Sequence, residues 1–111
     1  MKNQIMKNYK FLECMYRDEY FPTFLVDKGK KILEDVCYAI EKNNIDDLAP
    51  LYKVTHNATE LFNNLNEEFY EHESEIESMA RDCIGENFKE IAIAYGFLDA
   101  DIEELISPRD W

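Results

Sequence analysis

The chain has 111 residues, 46% hydrophobic and 14% aromatic, and carries a formal charge of −12. That is enough apolar material for one independent core burying about two thirds of the unfolded surface, so a disordered tail is excluded despite the charge. The excess of 24 acidic over 12 basic residues repels phosphate and anionic lipid, so neither nucleic acid nor a membrane surface is expected as a direct partner.

Ile5, Tyr9, Leu12 and Tyr16 recur at the spacing of one helix face, widened by Phe11 and Met15, and Pro22 closes this first stretch. Thr23 is placed to cap a second helix with the stripe Leu25, Gly29, Ile32, Val36 and Ile40, flanked by Leu33 and Cys37. Glycine on an apolar helix face costs about 1 kcal/mol against alanine, which predicts that a neighbouring helix approaches closely at Gly29. Asn43 and Asn44 end this helix, because asparagine tolerates the left-handed geometry of a C-terminal stop.

The third helix has the strongest pattern. Asp46 or Asp47 caps it, and Pro50 falls in its first turn, where a missing N–H does no harm. Leu48, Leu51, Thr55, Ala58, Phe62, Leu65 and Phe69 then alternate in steps of three and four, a period no strand shares. Ser74 with Glu77 makes a capping-box pattern for a fourth helix whose inner face is Ile76, Met79, Ala80, Cys83 and Ile84. Gly85 is expected to kink or split that helix before Phe88, Ile91, Ala92 and Tyr95 carry the face to a stop at Gly96. Asp99 caps a last short helix bearing Ile102, Leu105 and Ile106, which Pro108 ends. The expectation is an all-α, compact single-domain bundle of about five helices over residues 1–111, the fourth kinked or split near Gly85. Residues 1–5 read as a loose extension and 107–111 as a C-terminal tail.

Charge is divided unevenly along this layout. Residues 1–56 contain nine Lys/Arg and nine Asp/Glu and sum to zero, whereas residues 57–111 contain three and fifteen and carry the whole −12. Between Lys53 and Arg81 there is no basic residue, while Glu60, Glu67, Glu68, Glu71, Glu73, Glu75 and Glu77 all fall there. Acidic helix faces ordinarily serve solubility, but such a field also attracts a basic protein surface.

Beside the apolar stripe of the third helix runs a second one, Tyr52, His56, Thr59, Asn63, Asn66 and Tyr70, carrying uncharged hydrogen-bonding groups apart from the titratable His56. Mid-helix Thr and Asn are poor helix formers, so their accumulation needs a reason. One is the wall of a polar ligand pocket, and the other is a boundary whose groups bond to a neighbouring segment. Trp111, the only tryptophan and the last residue of the sequence, and Arg109 invite a similar pair of readings. Either the tail folds back as a plug, with Arg109 paired to the acidic half, or it is presented to a partner.

Cys14, Cys37 and Cys83, odd in number and widely spaced, read as reduced thiols of a cytoplasmic protein, each on or next to a predicted inner face. His56 and His72 lack the Glu three residues before them that bundle di-iron sites use, so neither a metal nor another cofactor is expected. Lys2, Lys7 and Lys10 interrupt any leader-like apolar stretch, and the longest apolar run, Ile91 to Leu98, is too short to span a bilayer.

Several segments carry a family resemblance: Met6-Lys7-Asn8-Tyr9, Tyr20-Phe21-Pro22, Val26-Asp27-Lys28-Gly29-Lys30, Thr55-His56 with Ala58-Thr59-Glu60, and Phe62-Asn63 with Leu65. Ser74 to Glu77, Ala94-Tyr95-Gly96-Phe97 and Ile102 to Trp111, with its distinctive Pro108-Arg109-Asp110-Trp111, extend it over nearly the whole chain. The chain resembles a family of small bacterial proteins grouped as a domain of unknown function. The resemblance implies a bacterial cytoplasmic origin and supplies no activity. It begins at Met6, and the repeated Met-Lys-Asn offers Met6 as a second start.

Taken together, the residues lead to a non-enzymatic binding protein, monomeric or homodimeric. Its acidic face, with Glu67, Glu68, Glu71, Glu73, Glu75 and Glu77 and with Arg109 and Trp111 beside it, would meet a basic protein partner. A ligand or catalytic pocket on the polar stripe and a self-associating structural role are the alternatives.

Overall fold

The computed structural model describes residues 1–111 throughout and contains helices and turns only. In chain order the helices are α1 (Gln4–Lys7), α2 (Glu13–Tyr16), α3 (Thr23–Lys42), α4 (Leu48–Glu71), α5 (Ser78–Ala94) and α6 (Ile102–Leu105). The long α3 and α4 form an antiparallel pair, and α5 closes the bundle. The single turns α1 and α2 pack on α5, and α6 lies over α4 and α5.

α4 follows the predicted pattern closely. Leu51, Thr55, Ala58, Phe62, Leu65 and Phe69 are all buried along one face. Its first carbonyl is taken when the Leu51 N–H donates to Asp47 at 3.2 Å, so Pro50 interrupts no bond. Gly29 does admit a close neighbour: a Cβ there would lie 2.9 Å from Leu12 Cδ1 and 3.1 Å from Phe62 Cε1. α3 ends as expected, with Asn43 Nδ2 donating to the Ala39 carbonyl at 3.0 Å and Asn44 left-handed at φ 50°. Its start differs by one residue. Pro22 holds the N-cap position, and Thr23 is the first helical residue.

The first stretch is broken where periodicity predicts continuity. Leu12 is left-handed, with φ 55°, and its N–H donates to Asn87 Oδ1 at 2.9 Å. A short helix is marginal in water, so one buried acceptor on α5 is enough to end it. The turn sends Leu12 into the core beside Gly29, while Ile5 is left 62% exposed. Residues 1–5 are held rather than loose: the Lys2 and Asn3 N–H groups donate to Glu41, and Asn3 Nδ2 donates to the Ala94 carbonyl at 2.8 Å.

The Ser74–Glu77 capping box does not form. The Ile76 N–H donates to Asn66 Oδ1 on α4 at 2.8 Å, which keeps this segment against α4 and delays α5 to Ser78, with Glu77 at its N-cap. Nor is α5 split at Gly85. A Cβ there would meet Ile102 Cγ2 at 3.1 Å and Ile106 Cδ1 at 3.4 Å, so the missing side chain serves the approach of α6. Gly96 ends α5 at φ +90° as expected, and Asp101 rather than Asp99 holds the N-cap position of α6.

The thiols also depart from expectation. Cys14 and Cys83, 69 residues apart, are disulfide-bonded, joining α2 to α5. Only Cys37 is free, and its burial pushes the thiol up to about 12. The pairing depends on how α2 packs against α5, which spacing along the chain does not encode.

Candidate functional site

Every member of the polar stripe on α4 meets a partner from the chain that follows it. Tyr52 Oη accepts the Asp101 N–H at 3.1 Å, and His56 Nε2 donates to the Glu104 carbonyl at 2.6 Å, which requires the proton on Nε2. Thr59 Oγ1 donates to the Thr55 carbonyl at 2.8 Å and reaches that of Leu105 at 3.4 Å. Asn63 bonds in both directions, donating to the Pro108 carbonyl at 3.1 Å and accepting the Asp110 N–H at 3.0 Å. Asn66 takes Ile76 as described above, and Tyr70 Oη donates to Glu75 Oε2 at 2.8 Å. The stripe is therefore a track of side-chain groups that satisfies backbone where regular helix stops, at residues 74–77 and 101–110. Its polar groups are engaged along its length, and the larger surface concavities lie elsewhere.

The same track anchors the tail. Trp111 is folded back, 9% exposed, with its ring edge-on to Phe62 at 6.2 Å, and Arg81 Nε donates to its carbonyl at 3.2 Å. Its Nε1–H has no partner. Arg109 pairs with Glu103 at 3.1 Å and donates to the Ile106 carbonyl. Of the residues considered for partner contact, Trp111 is thus turned inward and Arg109 is occupied by Glu103 and the Ile106 carbonyl at α6.

The acidic segment is different. Glu67, Glu71, Glu73 and Glu77 are exposed and have no cationic side chain within 4 Å, and only Glu68 is neutralised, by Lys28 at 2.5 Å. Tyr70 holds Glu75 below its ordinary carboxylate range, and Glu75 in turn pushes Glu77 upward through a hydrogen bond and like charge. Aromatic side chains stand among these carboxylates. Tyr20, Phe24 and Tyr70 are exposed, and Phe24 meets the His72 ring edge-on at 5.1 Å. Tyr20, Met79 and Glu77 line a shared concavity of about 430 Å³. The candidate site is the end of the bundle where α4 gives way to α5, an acidic segment with exposed aromatic side chains beside it. Tyr20 and Phe24 stand four residues apart in the aromatic cluster around Pro22, which the sequence offers as core closure or an interface, whereas Tyr70 lies in the last turn of α4 and no linear spacing joins it to them.

A larger concavity, about 670 Å³, lies between α2 and α5 and includes both cysteines of the disulfide. No three His, Cys, Asp or Glu side chains converge in a way that holds a metal ion, and no helix is long and apolar enough to cross a membrane.

The chain belongs to a family of unknown function (DUF5713), whose profile matches residues 5–111. No curated protein and no solved structure matches it.

Proposed function

We propose that this chain is a non-enzymatic binding protein of a bacterial cytoplasm, whose acidic C-terminal half engages a basic surface on another protein. A regulator, an inhibitor or an immunity-type neutraliser of a toxin would work in this way. The observation that carries the reading is the unpaired state of the glutamates from Glu67 to Glu77, where Glu68 alone has a cationic partner. Apart from Lys28 on Glu68, no lysine of the neutral first half pairs with these glutamates. Tyr20, Phe24 and Tyr70 supply the apolar contact that carboxylates alone lack, and aromatic rings accept cationic side chains on their faces. Negative charge around them would speed encounter with a basic partner and make it sensitive to salt. The competing pocket on the polar stripe has less support, since its groups already bond within the chain.

The test is co-purification from native extract over a range of salt, using the wild-type chain and a Glu67→Gln, Glu71→Gln, Glu73→Gln variant. The expected result is a basic protein retained at low ionic strength and released as salt rises, with retention weakened at least several-fold in the variant. Recovery of no basic partner at low salt, or equal retention by the variant, would overturn the proposal. Light scattering at micromolar concentration separates the self-associating alternative, which requires a dimer without any partner.

A further inference from the structure

The disulfide between Cys14 and Cys83 is asymmetric in its surroundings. Cys83 is 5% exposed, on the inner side of α5, whereas Cys14 is exposed on α2. Both line the concavity of about 670 Å³, together with Lys10, Arg17, Asp82 and Asn87. We propose that this disulfide is an exchange site for a small soluble thiol, with attack directed at Cys14.

A thiolate attacks a disulfide sulfur along the line of the S–S bond, so access to the far side of each sulfur decides which one reacts. Cys14 is exposed beside the groove, whereas Cys83 is 5% exposed and belongs to the packed core, so Cys14 is the more approachable of the two. In the first step the incoming sulfur bonds to Cys14 Sγ as the S–S bond breaks. The electron pair leaves on Cys83 Sγ, which takes a proton from water. A second thiol then attacks the incoming sulfur of this mixed disulfide and releases Cys14 as a thiol. Two external thiols are oxidised to one disulfide, and the protein disulfide is reduced to two thiols.

The fold keeps the reaction reversible. Other contacts hold the same segment: the Leu12 N–H donates to Asn87 Oδ1 at 2.9 Å, and Met6, Phe11, Leu12 and Met15 are buried in the core. Cys14 therefore stays beside Cys83, ready to close again when a small disulfide replaces the thiol. Cys37 does not compete, because it is buried and its thiolate is disfavoured. A disulfide that opens and closes in this way is also the kind a reducing compartment permits.

The folded full-length chain is equilibrated in graded mixtures of reduced and oxidised glutathione, quenched with acid, alkylated, and analysed by intact mass and peptide mapping. The expected result is interconversion of closed and two-thiol forms as the mixture changes, with unchanged helical circular dichroism and any mixed adduct at Cys14. Cys83→Ala, which has no internal sulfur to displace the adduct, accumulates it several-fold above wild type, and folded Cys14→Ser forms none at Cys83. The proposal is overturned if both cysteines stay open to alkylation in every mixture, or if the disulfide resists glutathione until urea unfolds the chain. An adduct at Cys83 overturns it equally. Should Cys83→Ala fail to fold, the wild-type peptide map at limiting glutathione decides the point of attack.

Discussion

Trp111 offers the sharpest test of how the tail is held. A buried tryptophan removes roughly 200 Å² from water, worth about 5 kcal/mol at 25 cal/mol per Å². Compactness of the denatured chain lowers this by about 10–40%. The Nε1–H without a partner offsets a further 1–3 kcal/mol, roughly, because it has lost its water and gained nothing. Taking the middle of each range, Trp111→Ala is therefore expected to cost about 2 kcal/mol. Trp111→Phe keeps a ring against Phe62 and deletes the orphan donor, so it should lie within about 1 kcal/mol of wild type. Urea unfolding followed by helical circular dichroism measures both, as shifts in midpoint at constant slope. Amide exchange at Asp101 and Asp110 should rise in the alanine variant, since these two N–H groups donate to Tyr52 and Asn63 on α4 only while the tail is docked. An alanine variant within about 0.5 kcal/mol of wild type, the range of an ordinary surface change, would refute the anchoring argument and return Trp111 to the partner-facing residues.

Two further outcomes follow from buried or anchored polar groups. Asn87→Ala removes the acceptor of the Leu12 N–H and the donor to the Cys83 carbonyl; leaving buried groups unpaired should cost about 1–3 kcal/mol in the same urea assay, and no loss would contradict the reading of the break at Leu12. Glu41 sits below its ordinary value of 4.5: burial pushes it up, but bonds from the Tyr95 hydroxyl and the Lys2 and Asn3 N–H groups outweigh that. Its contribution to stability is therefore present above pH 4.5 and lost as pH falls through the lowered value. Acid melts of wild type and Glu41→Gln should converge there, and a gap that persists at the lowest pH would count against the anchor.

How much could be read beforehand depended on the element. The faces of α3 and α4 were legible because a helix of five or more turns repeats its apolar stripe often enough to outvote any single residue. Gly29, Asn43, Asn44 and Gly96 were legible for a local reason, as each answers a requirement of its own backbone or its own face. Short segments behaved differently. One side-chain acceptor on another helix, Asn87 for Leu12 or Asn66 for Ile76, displaced a local pattern, since a single turn has little stability of its own to oppose it. The polar stripe was visible as an anomaly whose partner was not, because backbone groups that need satisfying leave no mark in residue identity.

Residue spacing and count were enough for the helical class, the two long faces and the placement of all net charge after residue 56. Tertiary structure alone decided that the stripe binds the chain's own backbone, that Trp111 turns inward, that Cys14 meets Cys83, and that the glutamates after residue 60 are left largely unpaired. Each of those outcomes depends on which surfaces distant segments bring together, and packing makes that choice by burying the most apolar area with the fewest unsatisfied polar groups.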